Sequence, residues 1–532
     1  MQDASSFSSS QSAAADDKDR RRFLRIGAAA LTAPAAIAAA TNARSATPAS
    51  PAGDPTGWTA RQLAQAIQSR SISCVEVLNA YLAQIDRFNP QVNAIVSLQD
   101  REGLVAQARQ RDDELAAARS AGRPVGWLHG FPQAPKDLTS TAGIRTTSGS
   151  PIFKDYVPKT DSILVERVRR AGAILIGKTN TPEFGLGSHT YNPVFGTTLN
   201  AFDTRRSAGG SSGGAASALA LNLLPVADGS DFMGSLRNPA GWNNVIGFRP
   251  SAGRVPFGPT SEVFIQQFGY EGPIARNVAD LAMLLSVQAG YDARTPLSLT
   301  QDPAIFAQPL DKDLRGTRIG WLGDYDGYLP TEPGVMDVCT QALKHFETIG
   351  CTVDAVRPEF EMERLWKTFL TVRGSMIAGG LGGLYADPAM RAKMKPEAIW
   401  EIESGLSLSA MDLFKASVDR SAWYQALGAL FRRYDALVLP TAQVFPFEAG
   451  LDWPKAIAGR TMDTYHRWME VVIGGTLAGI PILNVPAGFG PTGLPMGLQI
   501  MGRSQQDLAV LQLGHAYEQA SGYTRRRSPL LS

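Results

Sequence analysis

Three short segments of this sequence hold residue types that could do nucleophilic chemistry. They are Gly209-Gly210-Ser211-Ser212-Gly213-Gly214, residues 229–240 with Ser230, Asp231, Ser235 and Arg237, and Gln133-Ala134-Pro135-Lys136-Asp137. Each alone has an ordinary explanation. A Gly/Ser run is commonly a flexible loop, a lysine after proline a solvated charge, and Ser235 a cap before a Pro-containing turn. No Gly-Lys-Ser/Thr follows the run and its spacing is not G-x-G-x-x-G, which excludes the P-loop and dinucleotide readings. Glycines around a serine do let backbone come close to a substrate and free its N–H groups to converge. A serine hydroxyl is a poor nucleophile until a base takes its proton. The five histidines, His129, His189, His345, His466 and His515, sit in no hydrolase context, and there is no S-x-x-K. If there is catalysis, a lysine elsewhere in the chain must serve.

Taken together, the segments resemble the amidase signature family. The resemblance lies in Gly-Gly-Ser-Ser-Gly-Gly followed by Asp231-x-x-Gly234-Ser235-x-Arg237-x-Pro239-Ala240. It extends to residues 128–137, to Gly177-Lys178-Thr179-Asn180-Thr181-Pro182-Glu183-Phe184, to Gly272-Pro273-Ile274-Ala275-Arg276 and to residues 493–499. It thus covers roughly residues 58–515. It implies a single large α/β domain with a mixed, twisted sheet covered by helices, no cofactor, and hydrolysis of a small-molecule amide through an acyl-enzyme. The implied nucleophile is Ser235, the relay Ser211 and the base Lys136. In the family the relay lies 24 residues before the nucleophile, a spacing that selects Ser211 over Ser212. The relay also follows a cis peptide bond. Lys136 must be neutral to act, and burial would pull its pKa down from about 10.4. The resemblance assigns the oxyanion to the backbone N–H groups of Phe232, Met233, Gly234 and Ser235. It assigns Ser212, Ser230, Asp231 and Arg237 to a supporting polar network, with Asp231 and Arg237 either a buried ion pair or a substrate contact. Two positions depart from the family: Met233 stands where a glycine is usual, and Ser230 where threonine is commoner. Esterase activity fits the same chemistry. Two rival readings are the amidase component of a tRNA-dependent amidotransferase and a non-catalytic relative. The first conflicts with an export signal, and the intact Lys136, Ser211 and Ser235 argue against the second.

The elements that must position these residues are legible in part. Of 532 residues, 44% are hydrophobic and 19% charged, an ordinary globular composition. A net charge of +2 gives no electrostatic footprint for nucleic acid or an anionic membrane. Cys74, Cys339 and Cys351 are read as small buried residues, with a Cys339–Cys351 bridge as the alternative. Residues 1–19 read as disordered. Arg20-Arg21-Arg22-Phe23-Leu24 then precedes an Ala-rich apolar run and small residues, the order of a twin-arginine export signal ending near residue 45. That run is too short and too weakly apolar to span a bilayer, so no stable membrane insertion is expected. The expected destination is the periplasm or the exterior. Residues 46–57 read as a linker and 58–532 as the catalytic domain.

Ser73-x-x-Glu76 is a capping box for a helix with Leu78, Leu82 and Ile85 on one face, expected to end at Phe88-Asn89-Pro90. Asp161-Ser162 opens another, closing at Ala171-Gly172. Buried strands are expected at 173–177, 319–322, 436–439 and 482–485. Helices alternating with such runs argue for a parallel or mixed sheet covered on both faces. Residues 358–434 read as a helical insertion beside the cleft.

Overall fold

Strands from residue 227 onward pair into an eight-stranded sheet. A computed structural model describes residues 53–265 and 268–532; the expected export signal lies outside the described residues. The strands are β1 (Ala227–Asp231), β2 (Ile246–Arg249), β3 (Tyr270–Ala275), β4 (Arg318–Trp321), β5 (Thr352–Ala355), β6 (Ala436–Pro440), β7 (Ile482–Phe489) and β8 (Pro495–Gly502). Their order is β5-β4-β6-β8-β7-β2-β3-β1. The β5-β4 and β4-β6 pairs are parallel and the remaining pairs antiparallel. The expected runs at 319, 436 and 482 fall in β4, β6 and β7. Every residue of β6 and β8 is buried, which is why β6 reads as a continuous apolar run rather than an alternation.

The run at 173–177 behaves differently. Only Ile174–Leu175 is a strand, paired in parallel with Pro132–Gln133 and outside the large sheet. Glycines bracket it: Gly172 takes φ 95°, and a Cβ on Gly177 would meet the Val96 carbonyl oxygen at 2.9 Å. The chain then runs directly into Lys178–Thr179, which pairs antiparallel with Ile95–Val96. Lys136 is bridged to Thr179, so this small pairing carries the lysine.

Helix α1 (Cys74–Val92) has its capping box, and Leu78, Leu82 and Ile85 are buried. It does not stop at Pro90. In the last turn a proline forfeits little, and the stop comes at Asn93, which is left-handed with φ 51°. The Asn89 side chain fixes the exit by accepting from the N–H groups of Ala94 and Ile95 at 2.9 and 2.7 Å. Helix α2 (Ile163–Arg170) begins at its Ser162 cap as expected. The end of the expected linker belongs to the fold: Asp54 caps a turn at Pro55–Gly57, and Thr56 is buried with its carbonyl held by Arg276 at 3.0 Å.

The helical insertion contains α5 (Met362–Ala386), α6 (Pro396–Leu406) and α7 (Ala410–Phe431), with α3 (Gly213–Ala220) and α4 (Asn238–Trp242) earlier in the chain. Helices α5 and α6 cross so closely that a Cβ on Gly405 would lie 2.0 Å from the Gly374 carbonyl oxygen. A small apolar cluster of Leu186, Ala378, Met394, Ala398 and Ile402 joins this insertion to the segment after Phe184. The three cysteines are free and buried, so the Cys339–Cys351 bridge is not formed.

Candidate active site

Four segments converge on one cavity: the loop bearing Lys136, the Gly209–Ser212 loop before α3, the end of β1 with its turn into α4, and β3. Lys136 is fully buried. Its Nζ donates to Ser211 Oγ at 2.6 Å, to Ser212 Oγ at 3.0 Å and to Ser230 Oγ at 3.1 Å. Its own N–H donates to Asp228 Oδ2 at 3.0 Å, which ties the lysine loop to β1. The Gly210–Ser211 peptide bond is cis. The serine loop lies flat on β1, because a Cβ on Gly229 would come within 2.6 Å of Ser212 Oγ.

Burial dominates the lysine's ionisation and pulls its pKa down to about 7, against the opposing pull of Asp231, Asp228 and Glu271. An amine near neutrality, bonded to a hydroxyl, can accept that hydroxyl's proton.

Ser235 sits at the end of the turn after β1 and, with Ser211, Ser230 and Met233, lines a cavity of about 220 Å³. The turn is built by Asp231. Its Oδ1 accepts from the Gly234 N–H at 2.8 Å and its Oδ2 from the Leu236 N–H at 3.2 Å. Arg237 grips the same carboxylate with two bonds, at 2.9 and 3.0 Å. Arg237 also donates to the Val472 carbonyl at 2.9 Å, to Gln499 Oε1 at 2.5 Å and to Thr476 Oγ1 at 2.8 Å. Arg249 donates to the carbonyl of Asp231. Burial alone would raise the Asp231 pKa, but Arg237 and then Arg249 outweigh it and hold the carboxyl below the usual carboxylate range. Neither Asp231 nor Arg237 is exposed or lines the cavity, so of the two readings left open the ion pair is the one the structure contains.

Of the four N–H groups expected to face a substrate oxygen, Gly234's is committed to Asp231, because the carboxylate that shapes the turn needs a donor at that position. Those of Phe232, Met233 and Ser235 are left. Gly234 takes φ 83°, and a Cβ there would meet the Val472 methyl carbons at 2.9 Å, so glycine is required. Met233 has no left-handed backbone and puts its side chain in the cavity wall.

Several residues at this site were missed by sequence reasoning. Glu271 and Thr139 line the cavity, and Thr139 Oγ1 donates to Glu271 Oε1 at 3.0 Å. The signal for Glu271 is a carboxylate immediately before Gly-Pro in a strand that is buried throughout. Lys178 is a second buried lysine, donating to the Thr139 carbonyl and Thr141 Oγ1 at 2.5 and 2.7 Å; burial lowers it to about 8. From α5, Arg373 lines the cavity while paired with Glu401 at 2.5 Å and bonded to the Tyr465 hydroxyl at 3.0 Å. None of the five histidines lines the cavity. Among the described residues no group of three His, Cys, Asp or Glu side chains is placed to hold a metal ion, and no helix is long and apolar enough to cross a membrane.

The family model for Amidase matches residues 76–511. The chain is 32% identical over 464 residues to the acylamidase of Rhodococcus erythropolis, an alignment covering 86% of this chain and 94% of that one. It is 32% identical over 513 residues to a glutamyl-tRNA(Gln) amidotransferase subunit of Ralstonia nicotianae, covering 89% and 99% respectively. The solved structure of a bacterial aryl acylamidase belonging to the amidase signature enzymes superposes with a TM-score of 0.81 at 29% identity, covering 88% of this chain and 98% of that one.

Proposed function

Because the chain belongs to the amidase signature family, we propose that it hydrolyses a carboxylic amide to an acid plus ammonia or an amine, with Ser235 as nucleophile, Ser211 as relay and Lys136 as base. The observation that carries this reading is the fully buried Lys136 within 2.6 Å of Ser211 Oγ, beside a cavity that Ser235 lines. Neutral Lys136 takes the proton of Ser211 as Ser211 takes that of Ser235, and the Ser235 oxygen attacks the amide carbon. The N–H groups of Phe232, Met233 and Ser235 meet the oxyanion, each such donor contributing about 3–4 kcal/mol in comparable sites. The proton returns through Ser211 to the departing nitrogen, and water cleaves the acyl-enzyme by the same route. Leu138, Phe184, Leu186, Phe232 and Ile377 wall the cavity, which favours an amide with an apolar acyl or aryl part. Ester hydrolysis follows from the same acyl-enzyme.

A panel of amides varied separately in acyl and amine parts tests the reading. Hydrolysis should be found for apolar members and vanish in Ser235→Ala; undiminished turnover by that variant would sink the nucleophile assignment. The likeness to a glutamyl-tRNA(Gln) amidotransferase component supports a second reading, release of ammonia from glutamine, so glutamine belongs in the panel. Export through the twin-arginine segment is part of the proposal, and mass spectrometry of cell-derived protein should then find an N-terminus near residues 41–46.

A further inference from the structure

The cavity wall holds one charged group that the proposed hydrolysis leaves unused. Arg373 and Ile377 lie one turn apart on α5 and both line the cavity, so one face of that helix meets it. Arg373 is 4% exposed. Its guanidinium is held on two sides, with Nε donating to Glu401 Oε1 at 2.5 Å and Nη2 to the Tyr465 hydroxyl at 3.0 Å. Tyr465 in turn donates to the same Glu401 oxygen at 2.7 Å, which joins the three groups in one network. The close approach of Gly374 and Gly405 brings α5 against α6 and so puts Glu401 within reach. The third nitrogen, Nη1, has no hydrogen-bond partner among the described residues. The guanidinium carbon lies 5.1 Å from the centre of the Phe232 ring, which lines the same cavity three residues before Ser235. Nη1 therefore belongs to the space that the remaining atoms of an amide bound at Ser235 would enter.

A buried N–H without an acceptor is costly, and a ligand that supplies the acceptor removes the cost. The charge balance says which acceptor suits. Among the described residues lining the cavity, Arg373 is the only lysine or arginine, and Glu401 cancels its charge. A carboxylate placed here would face a neutral pair within a largely apolar wall and go uncompensated. A carbonyl oxygen brings no charge of its own and accepts strongly from a cationic donor.

We propose that Arg373 is a specificity-determining residue whose Nη1 donates to a neutral carbonyl oxygen on the substrate, beyond the bond that is cleaved. The preferred substrates are then amides that carry a second carbonyl group, separated from the first by an apolar stretch lying against Leu138, Phe184 and Ile377. The inference rests on the proposed hydrolase reading and names a substrate class within it.

Linear primary amides with two to five methylene groups and a terminal carbamoyl, carboxylate or isopropyl group test this, because the three ends are similar in size. At the best chain length kcat/KM should favour the carbamoyl member over the isopropyl one by about 10- to 100-fold. Glu401→Gln keeps an acceptor for Arg373 and Tyr465 but removes the balancing charge. It should move the preference toward the carboxylate member by about tenfold or more. The double variant Arg373→Met with Glu401→Gln leaves neither charge buried without its partner, and in it the carbamoyl preference should disappear. Equal turnover of the carbamoyl and isopropyl members at every length overturns the proposal. So does a carbamoyl preference that survives the double variant, or a ranking that Glu401→Gln leaves unchanged. Calorimetric binding of the same compounds to Ser235→Ala reads the preference without turnover. Tighter binding of the carbamoyl member to a protein that cleaves no amide sustains the subsite and removes only the hydrolase reading. Equal affinities overturn the subsite even where hydrolysis persists.

Discussion

Two buried charge centres lie close together at the end of β1 and are built on opposite terms. The Asp231 carboxylate is saturated: two arginines and two backbone N–H groups surround it. Lys136 is bonded through its Nζ to three hydroxyls and, among the described residues, to no carboxylate. A saturated centre fixes shape, since its charge is stable at any ordinary pH. An under-compensated one stays within reach of a change in charge, which is what proton transfer needs. The same burial therefore serves as scaffold in one place and as chemistry in the next.

The contrast can be broken from either side. Lys136→Met should lower amide turnover by roughly a thousandfold or more while raising the thermal midpoint at pH 6–7. The sign follows from proton counts. Between about 7 and the unfolded value near 10.4 the folded chain binds fewer protons than the unfolded one, so this group's contribution to stability rises with pH. Its full cost is present below 7, and methionine removes it. A lower midpoint in thermal scans would contradict the assignment of the lysine as a strained group.

Asp231→Asn should do the reverse, costing about 3–5 kcal/mol in denaturant unfolding because Arg237 and Arg249 are left buried without a counterion. Activity should fall with the folded fraction and with the loss of the turn. Gly234→Ala is the intermediate case. A left-handed φ and contact with Val472 should cost about 1–3 kcal/mol, measured by the same unfolding curve. Pairing it with Val472→Ala should recover only the steric part. The smallest effect is expected for Met233→Leu, a swap of similar volume at a core residue that also reaches the cavity. Stability should change by less than about 1.5 kcal/mol, while the ranking of amides in the panel changes.

The site's residues were more legible than its frame. Lys136, Ser211, Ser212, Ser230, Asp231, Ser235 and Arg237 could be singled out because their segments resemble the motifs of the amidase signature family, which are local signals. Glu271 and Lys178 could not, because their meaning comes from strand register and from a lysine loop that folds back over both. The same limit applied to the fold. Strands such as β6 are continuous apolar runs and are readable. The run at 173–177 has the same composition but is cut short by glycines that approach backbone far away in the chain. Pro90 misled for a related reason: a proline's effect depends on its distance from the helix end, which Asn93 sets.

The hydrogen bonds of this site also have a kinetic meaning. Lys136 reaches Ser211 across 75 positions and Ser230 across 94, and Arg237 reaches Gln499 across 262. Contacts of such separation form after local helices and hairpins, because each closes a long loop. The turn that presents Ser235 is anchored by Val472, Thr476 and Gln499, which belong to the C-terminal part of the chain. Competence for chemistry therefore arrives late in folding, when the C-terminal strands dock. Recovered amide hydrolysis is a stricter measure of the native state than recovered helix or buried tryptophan.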